Sequence, residues 1–515
     1  MNKRDDIAII RSLQTIFLMG VAVSLSFFAI RSKNPVLIFL VPIIPLAIWL
    51  LGNPSFLLLT MLIVSSAKLT PGIPGELTVA HLLQLAIIGW AIINTALRKE
   101  RFRRKDIPGR FLMLFFLNLL LIVAVRGFGL SFVGGSTYGG AAYIYLGISL
   151  LSYFAASRIS LNEKQLKILF FWGFLAALIP FFVQLSFYMT GGATAFLTNF
   201  VRTSVRAIAF AALEQDASAT RWSELSNVSL TLLTVTLVVP AIGRKTTVFW
   251  CLIGISAMLM MLTGYRSRIV GLGMVLFMWL LYESKNRRQM VFAFLALGIL
   301  GYAAALAVMP VLPGAVQRTL SFLPFAAERI TDRSIFLGAE GSTDFRFKIW
   351  RIALAEVPKY LLIGRGLTLD ITRWAWLSAD WYVSPEFNYD SHAYHSGPLG
   401  LLVDTGLLGL FSAAGFMISV CVKGWQGVRR FCKGRNDLIS RYYAFLVIQF
   451  TYSVVSYFLV FGDIRETIPV LVINAVLIRI IYRELEKREP FEGVDLFEKQ
   501  RVNGGVTNNL FNGRL

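Results

Sequence analysis

Apolar residues in this chain come in long, nearly unbroken runs, not in the alternating or helical-period patterns of a water-soluble core. The runs cover residues 13–30, 35–51, 55–67, 78–97, 111–125, 142–157, 168–189, 225–242, 248–263, 269–282, 290–312, 398–422, 442–461 and 467–482. A helix crossing a bilayer needs about 20 such residues, so the pattern predicts an all-α fold, a polytopic transmembrane bundle of about 12–14 helices. The range reflects 35–67, where Pro42, Pro45 and Pro54 allow one broken hairpin in place of two spans. Two long polar stretches interrupt the runs, at about 190–224 and 313–397. Loops of that length are uncommon unless functional. The larger one is expected to be partly helical, because Asp344-Phe-Arg-Phe-Lys-Ile-Trp-Arg351 has helical spacing. The expected organisation is one membrane domain over 1–482 and a polar, Asn- and Gly-containing tail over 483–515 that stays cytoplasmic and disordered.

Charge orients the bundle. The 515 residues carry 50 Lys and Arg against 29 Asp and Glu, a net +21, and are 56% hydrophobic. That hydrophobic share excludes a soluble domain. The basic excess is explained by cytoplasmic loops, so no nucleic-acid partner is expected. The densest basic runs are Arg98–Arg110 and 423–441, joined by Gly243-Arg-Lys and Lys285-Asn-Arg-Arg288. With fourteen spans all of these fall on one side together with both termini. By the positive-inside rule that side is the cytoplasm, and both long loops face out. The first run is followed by Arg31 and Lys33 and not by a cleavage site, so it is read as a retained span. Cys251, Cys421 and Cys432 show neither metal-site spacing nor an outer-face disulfide framework.

Chemistry concentrates on the outer side. His392 and His395 stand at the mouth of an apolar helix that carries Asp404. Ionisable groups at a membrane edge are costly unless used. A neutral imidazole there can take a proton from a hydroxyl; the competing reading is a structural histidine capping the helix. On a straight helix His395 and Asp404 lie about 13 Å apart along the axis and do not touch. Gly400, Gly406 and Gly409 read as close helix packing. Arg266 and Arg268 form a turn between two spans, Arg202 and Arg206 lie in the first long loop, Arg346 and Arg351 in the second, and Arg126 ends a span. Guanidinium groups bind phosphate oxygens in a bidentate fashion; the alternative is snorkelling to lipid headgroups. Trp374, Trp376, Trp381 and Tyr382 suit either sugar stacking or an interfacial aromatic belt. The chain lacks a Gly-rich phosphate loop, zinc-ligand spacing and an Asp-x-Asp pair, and the first outer loop, Arg31-Ser-Lys-Asn34, has no acid. No cofactor or metal is therefore expected, and a nucleotide-sugar donor is disfavoured.

Three ordered blocks resemble the O-antigen ligase and O-antigen polymerase superfamily of bacterial envelopes. They are Leu262-Thr-Gly-Tyr-Arg-Ser-Arg268, Asp344-Phe-Arg-Phe-Lys-Ile-Trp350 running on to Pro358-Lys-Tyr-Leu-Leu-Ile-Gly-Arg-Gly366, and His395-Ser-Gly-Pro-Leu-Gly-Leu-Leu-Val-Asp-Thr-Gly-Leu-Leu-Gly409. Ser396 stands where the family often has Asn, and Asp404 where Glu is common. The resemblance implies an inverting, metal-independent glycosyltransferase of the cytoplasmic (inner) membrane with its site on the outer, periplasmic face. Its implied partners are a polyprenyl-diphosphate-linked glycan, an acceptor glycan or lipid A–core, membrane lipids and other envelope polysaccharide assembly proteins. His395, with His392 as the alternative, is the implied base; the arginines would hold the diphosphate and Asp404 would support the site. The competing class is a polytopic transporter, such as a lipid-linked sugar flippase or an anion carrier. A transporter would place functional charges near the bilayer midplane, whereas these cluster at one face.

Overall fold

A computed structural model describes residues 52–70, 78–98, 106–129, 137–190, 192–203, 224–243, 246–326, 328–330, 333–370 and 384–488. The spans expected at 13–30 and 35–51, the Arg31–Asn34 loop, Arg206, Trp374, Trp376, Trp381 and Tyr382 lie outside these residues.

The described chain is an all-α bundle. In order the helices are α1 (Pro54–Ala67), α2 (Val79–Arg98), α3 (Ile107–Arg126), α4 (Gly140–Ala156), α5 (Glu163–Met189), α6 (Leu225–Val238), α7 (Pro240–Gly243) and α8 (Thr246–Met261). There follow α9 (Arg266–Glu283), α10 (Arg287–Val308), α11 (Gly314–Leu320), α12 (Arg333–Tyr360), α13 (Pro385–Asp390), α14 (Gly397–Gly427), α15 (Leu438–Leu459) and α16 (Ile464–Arg488). The one strand pair named among the described residues is two residues long, β1 (Thr137–Tyr138) antiparallel to β2 (Leu369–Asp370). Among the described residues six helices are long and apolar enough to cross a membrane: α2, α3, α5, α10, α14 and α15. The elements fall where the apolar runs predict them. The exception is the C-terminal end, where α16 continues to Arg488 in place of a disordered tail from Arg483. The extra turns are held by Arg488, which pairs with Glu163 at 3.2 Å, and by buried Leu485.

Local chemistry sets the helix ends. Pro54 opens α1, where a missing N–H costs nothing. Asn162 and Gln165 form a reciprocal capping box on α5, with both bonds at 2.9 Å. Asp437 caps α15 by accepting from the Ile439 and Ser440 amides at 3.1 Å. The core lies between α14 and the helices around it. α14 packs most extensively along α3, and α15 and α16 close the opposite side. Gly415 lets the Phe111 ring lie against the α14 backbone, where a Cβ would collide with it. α10 is the exception: it is apolar along its length and none of its residues is buried. Such a helix is stable only with its sides in lipid.

Five helix ends meet at one end of this bundle: the start of α9, the end of α3, the start of α14, the end of α15 and the start of α16. The described part of the polar segment that follows α10 packs over them, with α12 as its long element.

Candidate active site

α14 is a broken helix, and the break builds the site. Gly406 has φ 69° and ψ −175°, outside the helical region and open to glycine alone at little cost. The break frees backbone groups that no water could satisfy in a packed interior. The Pro358-to-Gly366 segment supplies partners. Arg365 N donates to Val403 O at 2.7 Å, Gly366 N to Asp404 O at 3.0 Å, and Leu407 N to Leu361 O at 2.8 Å. The Asn118 amide, from α3, donates to Thr405 O at 2.9 Å. Gly364 (φ 84°) passes so close to the Asp404 carbonyl that a Cβ would overlap it. Gly364 and Gly406 are thus required by backbone geometry, not by close packing of helix on helix as expected for Gly406. Arg126 completes the clasp, its Nε donating to Gly364 O at 3.2 Å.

This clasp places Arg365 beside Asp404. The Asp404 side chain is 1% exposed and its Oδ1 accepts from Tyr394 OH at 2.6 Å and lies 2.9 Å from His392 Nδ1. Arg365 Nη2 reaches the Tyr389 carbonyl at 2.8 Å and the Tyr394 hydroxyl at 2.9 Å, and its guanidinium lies 4.3 Å from the centre of the Tyr389 ring. Arg365 Nε stands 3.6 Å from Asp404 Oδ1. His392 Nε2 faces the Thr368 carbonyl at 3.2 Å. Arg365 Nη2 also lies 2.9 Å from His392 Nδ1; a neutral ring that donates Nε2–H to the Thr368 carbonyl and accepts at Nδ1 from the guanidinium satisfies both of these contacts. Burial lowers the His392 pKa, Asp404 opposes that shift and Arg365 adds to it. Burial likewise holds the Tyr394 hydroxyl protonated, its pKa raised well above the ordinary value and reinforced by Asp404.

Asp404 therefore pairs with His392, not with His395. The reason is local. α13 ends in a Schellman motif: Ala393 N donates to Asn388 O at 2.8 Å and His392 N to Tyr389 O at 3.2 Å, with His392 in the left-handed conformation at φ 65°. Glycine usually holds that place, and a side chain there costs about 1–2 kcal/mol. The turn folds the His392 ring back over the first turns of α14.

His395 is also left-handed, at φ 55°, but its surroundings differ. It is half-buried, and its ring packs on Phe461 with centroids 5.4 Å apart. Among the described residues no protein group hydrogen-bonds its nitrogens. Burial lowers its pKa, the positive charge of Arg346 lowers it further, and Asp463 opposes them. The ring is thus neutral at pH 7 and accessible.

Arg346 links His395 to a cavity. α12 is pinned by Trp350, whose indole N–H donates to the Tyr394 carbonyl at 2.8 Å, and by Ile349 and Ala353, buried with Tyr389, Tyr394 and Val403. Arg346 lies one turn earlier on that face. It lines an open cavity of about 280 Å³ together with Arg266, Arg318, Tyr265, Ser267 and Thr343. Val460, the neighbour of Phe461, forms part of the wall. The structure therefore gathers Arg266 and Arg346 as expected, and adds Arg318.

The other expected arginines lie elsewhere. Arg268 is exposed on α9 and does not line the cavity; two helical steps from Arg266 turn it by about 200°. Arg351 is exposed, about 140° around α12 from Arg346. Arg202 pairs with Glu466 at 2.8 Å. Three site groups were not expected: Arg318, Arg365 and Tyr394. Arg365 did carry a signal, a charge between two glycines directly after a helix-ending stretch. Arg318 offered only an isolated cation in the long loop.

Residues 251–414 match the O-antigen ligase family. The similarity to this family covers about a third of the chain. No curated protein gave a match. The matched segment runs from within α8 into α14. It contains the α9 turn with Arg266, α12 with Arg346, the Arg365 clasp, both histidines and Asp404.

Proposed function

We propose that the chain is a membrane glycosyltransferase that moves a glycan from a polyprenyl diphosphate to an acceptor hydroxyl outside the cytoplasm. One observation carries the reading: the half-buried His395 imidazole, with no protein hydrogen bond to it among the described residues, packs on Phe461 next to Val460 in the wall of a cavity lined by Arg266, Arg318 and Arg346. The family match supports the same class. Three guanidinium groups suit the two phosphates of the donor. The acceptor oxygen attacks the anomeric carbon from the face opposite the diphosphate. The new C–O bond forms as the bond to the phosphate oxygen breaks, and the configuration inverts. The hydroxyl proton passes to His395, and the electron pair leaves on the lipid diphosphate. The arginines stabilise the charge developing on that leaving group. His392 is held by Asp404 and shielded from substrate, so it acts as a positioning group. No metal takes part in this scheme.

The test is transfer from purified lipid-linked glycan in detergent. His395→Ala is expected to slow transfer by about 10²–10⁴-fold while the protein still inserts and purifies. Arg→Lys at 266, 318 and 346 should weaken donor binding, because lysine keeps the charge and loses the forked donors. A His395→Ala enzyme at wild-type rate would remove the proposed base. In cells, loss of long chains with single repeats still attached identifies a polymerase; free lipid-linked polymer beside bare acceptor identifies a ligase.

A further inference from the structure

A second charged cavity, of about 330 Å³, lies at the other end of the bundle. Its walls come from α3, α4, α14, α15 and α16. Those helices run away from the histidine site, and Lys423 is roughly 40 Å along α14 from Gly397 at the usual helical rise. The cavity therefore takes no part in the chemistry at His395.

Its lining has an order. Along α14, Val420 precedes Lys423; along α16, Ala475 and Ile478 precede Arg479, Arg483 and Glu486. Both helices start at the histidine end. The wall is thus apolar toward the middle of the bundle and charged toward its far end. Tyr153, Tyr443 and Tyr482 line the same cavity, Tyr482 between Arg479 and Arg483 in sequence and Tyr153 bonded to Asp106 and Arg479, and aromatic rings at a charged level mark a membrane interface.

The charged end is built. Asp106 accepts from Arg479 and from Tyr153 OH, and Lys423 Nζ stands 3.7 Å from it. The Arg479 guanidinium also lies 5.6 Å from the centre of the Tyr153 ring. The carboxylate orders two cations at the cavity wall. Arg483 is fixed by donating to the Ser157 carbonyl. Three cations face two acids, Asp106 and Glu486, which leaves one positive charge. Lys423, 42% exposed, stands at the rim.

We infer that this cavity binds one anionic glycerophospholipid, with its phosphodiester on Lys423, Arg479 and Arg483 and an acyl chain along Val420, Ala475 and Ile478. A single net positive charge matches a single phosphodiester, and the apolar-to-charged order matches a lipid standing in the leaflet away from the histidine site. A free phosphate would use the cations but not the apolar wall.

The experiment is native mass spectrometry of the full chain in detergent, titrated with phosphatidylglycerol, phosphatidylcholine and inorganic phosphate. One phosphatidylglycerol should be retained, about tenfold more tightly than phosphatidylcholine, whose cationic headgroup meets like charge. Lys423→Gln should weaken phosphatidylglycerol by about tenfold. Gln426→Trp, which fills the cavity from its exposed edge and removes no charge, should also lose the lipid. Both variants should keep wild-type transfer in detergent, so failure here and failure of the transferase reading separate. Equal retention of both lipids, unmoved by either variant, would reduce the cavity to ordinary annular contact and overturn the inference. Displacement of the lipid by millimolar phosphate would overturn it in favour of a free-phosphate site.

Discussion

At the scale of residues, two histidines three positions apart have opposite surroundings. His392 is 4% exposed and bound at both nitrogens; His395 is half-buried, and no described protein group hydrogen-bonds its ring. The lowered His395 pKa has a kinetic consequence. The ring is neutral above its pKa and charged below it, and only the neutral ring accepts a proton. The rate should therefore be level near neutral pH and fall on acidification, with its midpoint below the ordinary 6.5. Arg346→Gln removes a cation that lowers this pKa, so the acid limb should move up toward 6.5. A limb already above 6.5 in the wild type would contradict the burial and charge assigned to His395. Asp404 predicts a stability effect. Its carboxylate shares the largely buried Arg365 guanidinium with Asp390, at 3.6 and 3.5 Å, and accepts from Tyr394 OH, so Asp404→Asn is expected to cost about 1–3 kcal/mol. The fall should appear in thermal unfolding in detergent and be partly restored by adding Arg365→Met; no restoration would argue against a coupled pair. Sequence spacing could show that His395 and Asp404 are too far apart to bond. It could not show the partner, because that depends on a left-handed turn at His392, a conformation no pattern of residue types announces.

At the scale of elements, the spans were readable from hydropathy because each is a local property of about 20 residues. The break in α14 was not. Gly400, Gly406 and Gly409 look alike in sequence, and only tertiary contact separates them. Gly406 turns the chain at φ 69°, whereas Gly409 lets the Thr405 side chain and Asn118 approach. The Gly364-Arg-Gly366 motif makes sense only as the piece that fills this break. Substitution discriminates. Gly406→Ala and Gly364→Ala each force a Cβ against a backbone carbonyl, of Leu362 and of Asp404, at positive φ. Both should destabilise by well over the roughly 1 kcal/mol of a tolerated glycine change. Gly273→Ala, within α9 with nothing inside 4 Å of the added Cβ, should be neutral or slightly stabilising. Melting midpoints of the three variants in one detergent provide the comparison. Equal midpoints would mean the clasp contributes nothing.

At the scale of the whole molecule, the two ends of the bundle carry different chemistry, and that difference predicts how the protein sits in a membrane. One end holds His395, the arginine cavity and the α12 segment. The other holds Lys423, Arg429, Arg430, Lys433, Arg435 and the charged cavity around Asp106. Helix α14 joins them with 31 residues, roughly 45 Å at the usual rise, longer than a hydrocarbon core of about 30 Å. The positive-inside rule counts basic residues in short loops near span ends. By that count the Lys433 end is expected to face the cytoplasm, although His395 also has arginines near it. Those arginines lie over a cavity and in the long α12 segment, where the rule does not apply and the proposed diphosphate would give them a separate reason. The prediction follows in a cysteine-free background. Cysteines at exposed Arg268 and Arg351 should react with a membrane-impermeant maleimide in spheroplasts. A cysteine at exposed Lys433 should react only after the membrane is opened. Labelling of Lys433→Cys in sealed spheroplasts, with Arg351→Cys protected, would invert the protein. It would move His395 to the side where a glycan meant for the envelope is not yet exported.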